Sequence, residues 1–301
     1  MEKTDISVII PTFNRPELLE KTLSLYNAQT CNNYEVIVVD DGSPEDTEAV
    51  VKLLQGEVLY RLKYLRQEKS GPAAARNKGI KIAEGDILLF TGDDIFPKAN
   101  LLERHLAAIR KHPAFAVLGR VEWSEDGNVT DFMRHIAPDG FQFRYGGIKD
   151  KMNCGFRHFY TSNISLSKTW FFGDAFDEDF PFGALEDTEL AYRLEKKGLK
   201  ILLEEQAVGY HQHFTTLESF KQRMKRVGIS AVLLLEKHPE LTHIFLPVDF
   251  RIVKIVALSL RVAPIFKNIR KDFFWQAQIV RSYIEGVEEG MKRKRDTLSH
   301  F

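Results

Sequence analysis

Two apolar runs in the first hundred residues end alike: Glu35-Val-Ile-Val-Val39 leads into Asp40-Asp41-Gly-Ser43, and Asp86-Ile-Leu-Leu-Phe90 into Thr-Gly-Asp93-Asp94. Short β-branched or aromatic runs bounded by glycine, proline and aspartate read as strands buried on both faces, as in parallel sheets. Open α/β sheets bind their ligands outside the carboxyl ends of such strands, so each run delivers a carboxylate pair to a ligand-binding edge. Carboxylate and phosphate oxygens together suit magnesium or manganese. The pattern points to an enzyme that handles a metal-bound, phosphorylated substrate.

The flanking segments supply the rest of such a sheet. Ile6 to Ile10 reads as a strand, and Pro16 sits at a first helical position ahead of Leu18, Leu19, Leu23 and Tyr26. Ser43-Pro-Glu-Asp46 has near capping-box spacing, so a helix is expected directly after the first acid pair. A strand near Leu59 to Leu65 leads to a helix opening at Gly71-Pro-Ala-Ala-Ala-Arg76-Asn77, and the strand Asp86 to Phe90 follows. Strand and helix alternate, which is the signature of a right-handed parallel sheet. Beyond Asn100 the reading is a helix near Leu101 to Arg110, a strand near Ala116 to Trp123, and a stretch rich in glycine and aromatics from Asp139 to Phe159. A strand at Asn163 to Ser167, a helix from Asp187 to Lys197 closed by Gly198, and a strand at Lys200 to Leu203 come next. Thr215 and Glu218 have capping-box spacing, and from Thr216 onward the chain reads as helical, with Pro264 separating two late helices.

At 301 residues and 44% hydrophobic content the chain is long enough for a large globular core. Formal net charge is zero, so no nucleic-acid partner is expected. The charge is uneven: residues from Asp249 to Phe301 include 11 basic and 6 acidic side chains, against 31 and 36 in the rest. Two cysteines, Cys31 and Cys154, make neither a disulfide framework nor a zinc site, which suits a reducing compartment. With no signal-peptide pattern at the N-terminus and no apolar stretch long enough to span a bilayer, a cytoplasmic protein is expected.

Five segments carry chemistry: Pro11-Thr-Phe-Asn-Arg15, Val38-Val-Asp40-Asp41-Gly-Ser43, Gly71-Pro-Ala-Ala-Ala-Arg76-Asn-Lys-Gly79, Phe90-Thr-Gly-Asp93-Asp94-Ile-Phe-Pro97, and Phe176-Asp-Glu-Asp-Phe180 with Leu185-Glu186-Asp187. In this order, over roughly residues 5 to 230, the chain resembles the family 2 glycosyltransferases, nucleotide-sugar-dependent inverting enzymes of the GT-A fold. The resemblance implies a Rossmann-like, mostly parallel sheet flanked by helices, with a helical C-terminal extension. Residues 1–245 would be the catalytic domain, with a nucleotide-binding half to residue 100 and an acceptor half from 101. Residues 246–301 would be the basic extension.

Carried over residue by residue, the resemblance implies that Pro11, Thr12, Asn14 and Arg15 floor the nucleotide site. Asp41, with Asp40 beside it, would accept hydrogen bonds from the base, as an ionised carboxylate does. Arg76 would meet the base or diphosphate at its helix N-terminus, where negative charge is favoured. Asp93 would contact the sugar or ribose and Asp94 the metal, Mn2+ or Mg2+. Here the chain departs from many relatives, since Gly92 stands where they carry a first aspartate. Asp187 would be the base that deprotonates the acceptor hydroxyl, with Glu186 as its catalytic neighbour. In Tyr210-His211-Gln-His213, His211 fits the slot of a metal-completing histidine better than His213, although alternate residues of an extended segment share a side. Trp123, Trp170, Phe171 and Phe172 read as core before they read as an acceptor groove. Asn163 lies in a segment that would approach the donor sugar or acceptor.

The implied reaction moves a sugar from a nucleotide-diphosphate donor, UDP-sugar first among them, to a glycan or lipid-linked acceptor. Two other classes compete. A dinucleotide-binding oxidoreductase would need a Gly-x-Gly-x-x-Gly turn where Pro11-Thr-Phe-Asn-Arg15 stands, and no P-loop occurs either. A non-catalytic nucleotide-sugar-binding module of the same fold is argued against by the retention of Asp94 and Glu186-Asp187. In the tail, Ile252, Val253, Ile255, Val256, Leu258 and Leu260 alternate with Arg251, Lys254 and Arg261, and Lys292-Arg-Lys-Arg295 follows. Such a helix suits the inner face of an anionic membrane, or plain packing with a solvated end, and packing is the preferred reading.

Overall fold

The computed structural model describes residues 4–124, 128–173, 175–246 and 270–298. Its strands are β1 (Ile6–Thr12), β2 (Tyr34–Asp40), β3 (Arg61–Arg66), β4 (Ile87–Thr91), β5 (Ile95–Pro97), β6 (Phe115–Trp123), β7 (Asn163–Ser167) and β8 (Lys200–His211). The helices are α1 (Pro16–Tyr26), α2 (Thr47–Gln55), α3 (Pro72–Ile82), α4 (Leu101–Lys111), α5 (Asp131–Ile136), α6 (Glu186–Lys196), α7 (Leu217–Lys237), α8 (Thr242–Phe245) and α9 (Lys271–Leu298). Packing divides the chain into two units. One comprises Met1–Val129, Ile136–Asp179 and Glu186–Phe214; the other comprises Thr130–His135, Phe180–Leu185 and Thr215–Phe301.

All the strands lie in the first unit, in one sheet of order β3-β2-β1-β4-β7-β6-β8-β5. The expected parallel set is present in β3, β2, β1 and β4. β7 then enters antiparallel to both β4 and β6, β6 runs parallel to β8, and β5 pairs antiparallel with the end of β8. The sheet is therefore mixed, and the reversal falls directly beyond the second acid pair.

Period-two alternation assigns the faces of the central strands. Ile6, Val8 and Ile10 of β1 share a core with Val36 and Val38 of β2, Leu19 and Leu23 of α1, Val51 of α2 and Leu102 of α4. On the opposite face α3 lies so close that a Cβ on Gly79 would come within 2.6 Å of Ile9. An acid pair at the end of such a strand has its position set by this core rather than by its own loop.

Three local readings need correction. α2 starts at Thr47, capped by Asp46, whose carboxylate accepts from Ala49 N at 3.0 Å, so it does not follow the acid pair directly. Ser43 is diverted: its own N–H and hydroxyl both donate to Asp40. The cap of α7 is Thr216 with Ser219, a reciprocal capping box one residue on from the expected one. β8 runs on to His211, because β6 and β5 pair with its far half.

In the second unit α7 and α9 pack together at glycines. A Cβ on Gly228 would run into the Tyr283 carbonyl, and one on Gly286 into that of Lys225. Phe132 of α5 meets Phe220 edge-on at 6.0 Å and Trp275 at 5.6 Å. Lys294 pairs with Glu236 at 3.1 Å and Arg293 with Glu289 at 2.6 Å, so half of the basic cluster is spent inside this helix pair. The amphipathic run from Arg251 to Arg261, and Pro264, lie outside the described residues. Among the described residues no helix is long and apolar enough to cross a membrane.

Candidate active site

β4 ends at Thr91, Gly92 turns the chain, and Asp93 and Asp94 follow before β5 begins. β5 sets Ile95 opposite His211 of β8, which brings His211 Nε2 to 3.4 Å from Asp94 Oδ2. On the other side of β8, Trp123 of β6 is the register partner of His211, and its ring stacks on the imidazole at 5.2 Å and 10°. His213 is exposed and lies 5.7 Å from the His211 ring. The pairing of β8 with two strands at once thus brings His211 to the acid pair, with His213 stacked beyond it.

From α1 and its approach, Arg15 Nη1 donates to Asp94 Oδ2 at 2.9 Å and to Asp93 Oδ1 at 3.2 Å. Thr12 Oγ1 donates to Asp93 Oδ2 at 2.8 Å, and Thr22 Oγ1 donates to the Asp93 carbonyl at 2.6 Å. Burial and the neighbouring Asp94 push the Asp93 carboxyl up to about 6, against the opposing pull of Arg15 and Thr12. Burial also acts to raise Asp94, but His211, Arg15 and His213 together outweigh it and hold Asp94 well below the usual carboxylate range. One acid of the pair thus keeps its charge firmly, as a cation ligand must. A Cβ at Gly92 would come within 2.7 Å of Asp94 Oδ1, so this carboxylate uses the space that an aspartate at 92 would take.

Asp94 and His211 offer one carboxylate and one imidazole. Among the described residues no set of three or more His, Cys, Asp or Glu side chains forms a ready metal cage. Two protein donors are nonetheless the number that magnesium or manganese accepts when it arrives with phosphate oxygens and keeps its waters. The donor set fits an ion that binds together with its substrate.

The first acid pair is used differently. Asp40 is fully buried; its Oδ1 accepts from Ser43 N and Oγ, and its Oδ2 from Tyr64 at 2.8 Å. Both of its oxygens are engaged inside the fold. Asp41 accepts from Gln67 Nε2 at 2.8 Å, Ser70 N at 2.7 Å and Gly71 N at 2.9 Å, tying the loop that opens α3 to the end of β2. Beside it Phe13 is exposed, with Lys69 Nζ 3.7 Å from its ring centroid, and Asn14, at φ 55°, donates its N–H to Ser43 Oγ.

Glu186 and Asp187 open α6, directly after Leu185 at φ 67°. Arg76 Nη1 of α3 donates to Glu186 Oε1 at 2.7 Å, both residues being more than nine-tenths buried. Among the described residues Arg76 Nε and Glu186 Oε2 have no hydrogen-bond partner. Asp187, half-buried, accepts from Thr188 N at 2.7 Å. Burial raises both carboxyls; Asp187 raises Glu186 further, while Arg76 acts to lower each. Tyr160 faces Asp187, and its hydroxyl is pushed up by burial and by that carboxylate.

Asn163 is part of the scaffold. Its Oδ1 accepts from His105 Nε2 of α4 at 2.9 Å and its Nδ2 donates to the carbonyls of Arg120 in β6 and Ala207 in β8. Phe171 packs on Phe90 and Phe172 is exposed, whereas Trp123 reaches the site through His211. Thr22 and Tyr64 went unnoticed in the sequence. Thr22 left a trace, a polar residue beside Leu19, Leu23 and Tyr26 on the buried stripe of α1; Tyr64 left none.

The fold of the chain is shared with solved structures. A mannosyltransferase from Pyrobaculum calidifontis, solved with GDP-Man and Mn2+, superposes with a TM-score of 0.67 at 15% identity over 97% of this chain and 88% of that one. S. aureus TarS 1-349, solved with UDP, gives 0.55 at 17% over 96% and 92%. These likenesses define the class, the GT-A fold of glycosyltransferases. The Glycosyl transferase family 2 profile matches residues 7–171, and the chain belongs to that family. Chondroitin synthase from Escherichia coli is 29% identical over 265 residues, 78% of this chain and 38% of that protein. The amylovoran biosynthesis glycosyltransferase AmsB of Erwinia amylovora is 27% identical over 250 residues, 80% of each. The chain spans about a third of the length of the chondroitin and hyaluronan synthases that it matches.

Proposed function

We propose that the protein is an inverting glycosyltransferase that moves a sugar from a nucleotide-diphosphate donor, UDP-sugar first, to an acceptor hydroxyl during synthesis of a polysaccharide, glycolipid or cell-surface glycan. The observation that carries this reading is the meeting of Asp94 and His211 at the ligand edge of the sheet, in the same packing unit as the helix headed by Asp187. The UDP and the GDP-Man with Mn2+ bound by the structural neighbours, and the polymer-synthesising relatives, support it.

In this reading Pro11, Thr12, Asn14 and Asp41 line the nucleotide, Asp93 meets the ribose or sugar, and Arg15 turns to the diphosphate. Asp94 and His211 would hold Mn2+ or Mg2+, which when bound neutralises charge on the departing diphosphate. The acceptor oxygen forms its bond to the anomeric carbon as the bond to the diphosphate oxygen breaks, inverting that centre, and Asp187 takes the acceptor proton. Burial makes Asp187 a stronger proton acceptor than an ordinary carboxylate. Functionally we keep residues 1–245 as the catalytic domain and 246–301 as an extension. The cysteines, both free thiols, suit a cytoplasmic site of action.

Calorimetry with UDP and with GDP, in Mn2+ and in chelator, tests the donor side. Metal-strengthened binding that vanishes in Asp94→Ala is expected, and equal affinity in chelator would remove the metal role. Asp187→Asn should lower kcat by roughly a hundredfold or more at nearly unchanged donor affinity. Sugar transfer by that variant at the wild-type rate would remove the base.

A further inference from the structure

We infer that Arg76 is a positioning residue for the base-bearing helix, holding Glu186 as its ionised partner and so fixing the Glu186–Asp187 pair at the start of α6, and that it does not contact the nucleotide. The inference uses the glycosyl-transfer reading only for the role of Asp187.

The Arg76–Glu186 bond of 2.7 Å joins residues 110 positions apart, with Arg76 9% and Glu186 2% exposed. Two charges at that depth are committed to one another, because a partner left alone would be an uncompensated charge in a poorly polarisable surrounding. A diphosphate drawing on the same Nη1 would strand Glu186. The Phe176 ring closes over the guanidinium, its centroid 5.4 Å from Cζ.

The next residue on α3 does parallel work. Asn77 Nδ2 donates to the Phe176 carbonyl and to Glu178 Oε1, both at 2.8 Å, and its Oδ1 accepts from Phe176 N at 2.9 Å. Two consecutive residues of one helix therefore hold the segment leading toward α6 and the first residue of α6 itself. That helix start needs holding, since Leu185 takes a left-handed conformation rarely adopted by residues with a side chain, and two adjacent carboxylates repel. The opening loop of α3 is in turn pinned by Asp41 through Ser70 N and Gly71 N. α3 thus links the nucleotide-side acid to the base-side acids.

Among the described residues, the charged and titratable groups that act with Asp187 include Arg76 from α3, Glu186 on its own helix and Tyr160. Positioning by charge then predicts a signature that an uncharged structural brace would not leave, and UDP affinity separates it from a nucleotide contact. The test follows the carbon-13 carboxyl resonance of Asp187, assigned by its loss in Asp187→Asn, through a pH titration without substrate. In Arg76→Gln the midpoint should rise by about one pH unit, in Glu186→Gln it should fall by a similar amount, and in the double variant it should return to within about half a unit of wild type. Arg76→Lys should stay near wild type, and UDP affinity in Mn2+ should change less than about twofold in Arg76→Gln. An unmoved Asp187 midpoint in Arg76→Gln, or in Glu186→Gln should the arginine variant not fold, overturns the inference. So does a tenfold loss of UDP affinity in a folded Arg76→Gln. The titration needs no turnover, so a chain that transfers no sugar would sink the proposed function and leave this result standing.

Discussion

At the scale of single residues, buried polar groups sort by whether the fold satisfies them. Asp40 and Asn163 have their oxygens engaged by the protein and serve the scaffold, whereas Asp94 shares a cationic neighbourhood with Arg15 and His211. His105 makes the distinction measurable. Fully buried between Ser165 Oγ and Asn163 Oδ1, it is pushed down to about 4 by burial, with the Asn163 hydrogen bond opposing. Below about pH 6.5 the unfolded chain protonates this ring and the native one does not, so stability present above pH 6.5 is lost as pH falls toward 4. The loss between pH 6.5 and 5 should be on the order of 2 kcal/mol. Urea melts at the two pH values should show it in wild type and much less of it in His105→Gln.

At the scale of elements, strand pairing decides what local signals leave open. Tyr210-His211-Gln-His213 reads as a segment with two histidines on one side. The pairing of β8 with both β5 and β6 places His211, by fixing Ile95 and Trp123 as its neighbours. The α7–α9 crossing depends similarly on residues without side chains, since backbone carbonyls occupy the Cβ positions of Gly228 and Gly286. Gly228→Ala or Gly286→Ala should therefore force the helices apart and destabilise that unit by about 1–3 kcal/mol, the usual range for overpacking. Thermal melts followed by helical circular dichroism would check it. A melt unchanged from wild type would mean that the crossing relaxes freely.

At the scale of the whole molecule, the residues assigned to the donor lie in the sheet-bearing unit, while α7 and α9 belong to the other. Removing residues from Leu246 onward should leave UDP affinity in Mn2+ within about twofold of wild type. It should also uncover the face of α7 around Gly228, so circular dichroism should record more helix lost than α9 contains. A tenfold loss of affinity in a folded truncated chain would assign part of the donor site to the extension.

The sheet was legible in the sequence because strands buried on both faces are written as uninterrupted apolar runs, and acids at their ends stand out against them. Ile6 to Ile10, Glu35 to Val39 and Asp86 to Phe90 are local signals of this kind, and the family motifs follow the same order. Only the tertiary structure decided that β7 enters antiparallel, that Asp40 is spent on Ser43 and Tyr64, that His211 comes within 3.4 Å of Asp94, and that Arg76 pairs with Glu186. Apart from the Ser43 contact, three residues from Asp40, each of these depends on residues distant in the chain or on the far side of a strand pairing. Periodicity and capping carry no information about such partners, because they report only what a residue's near neighbours impose.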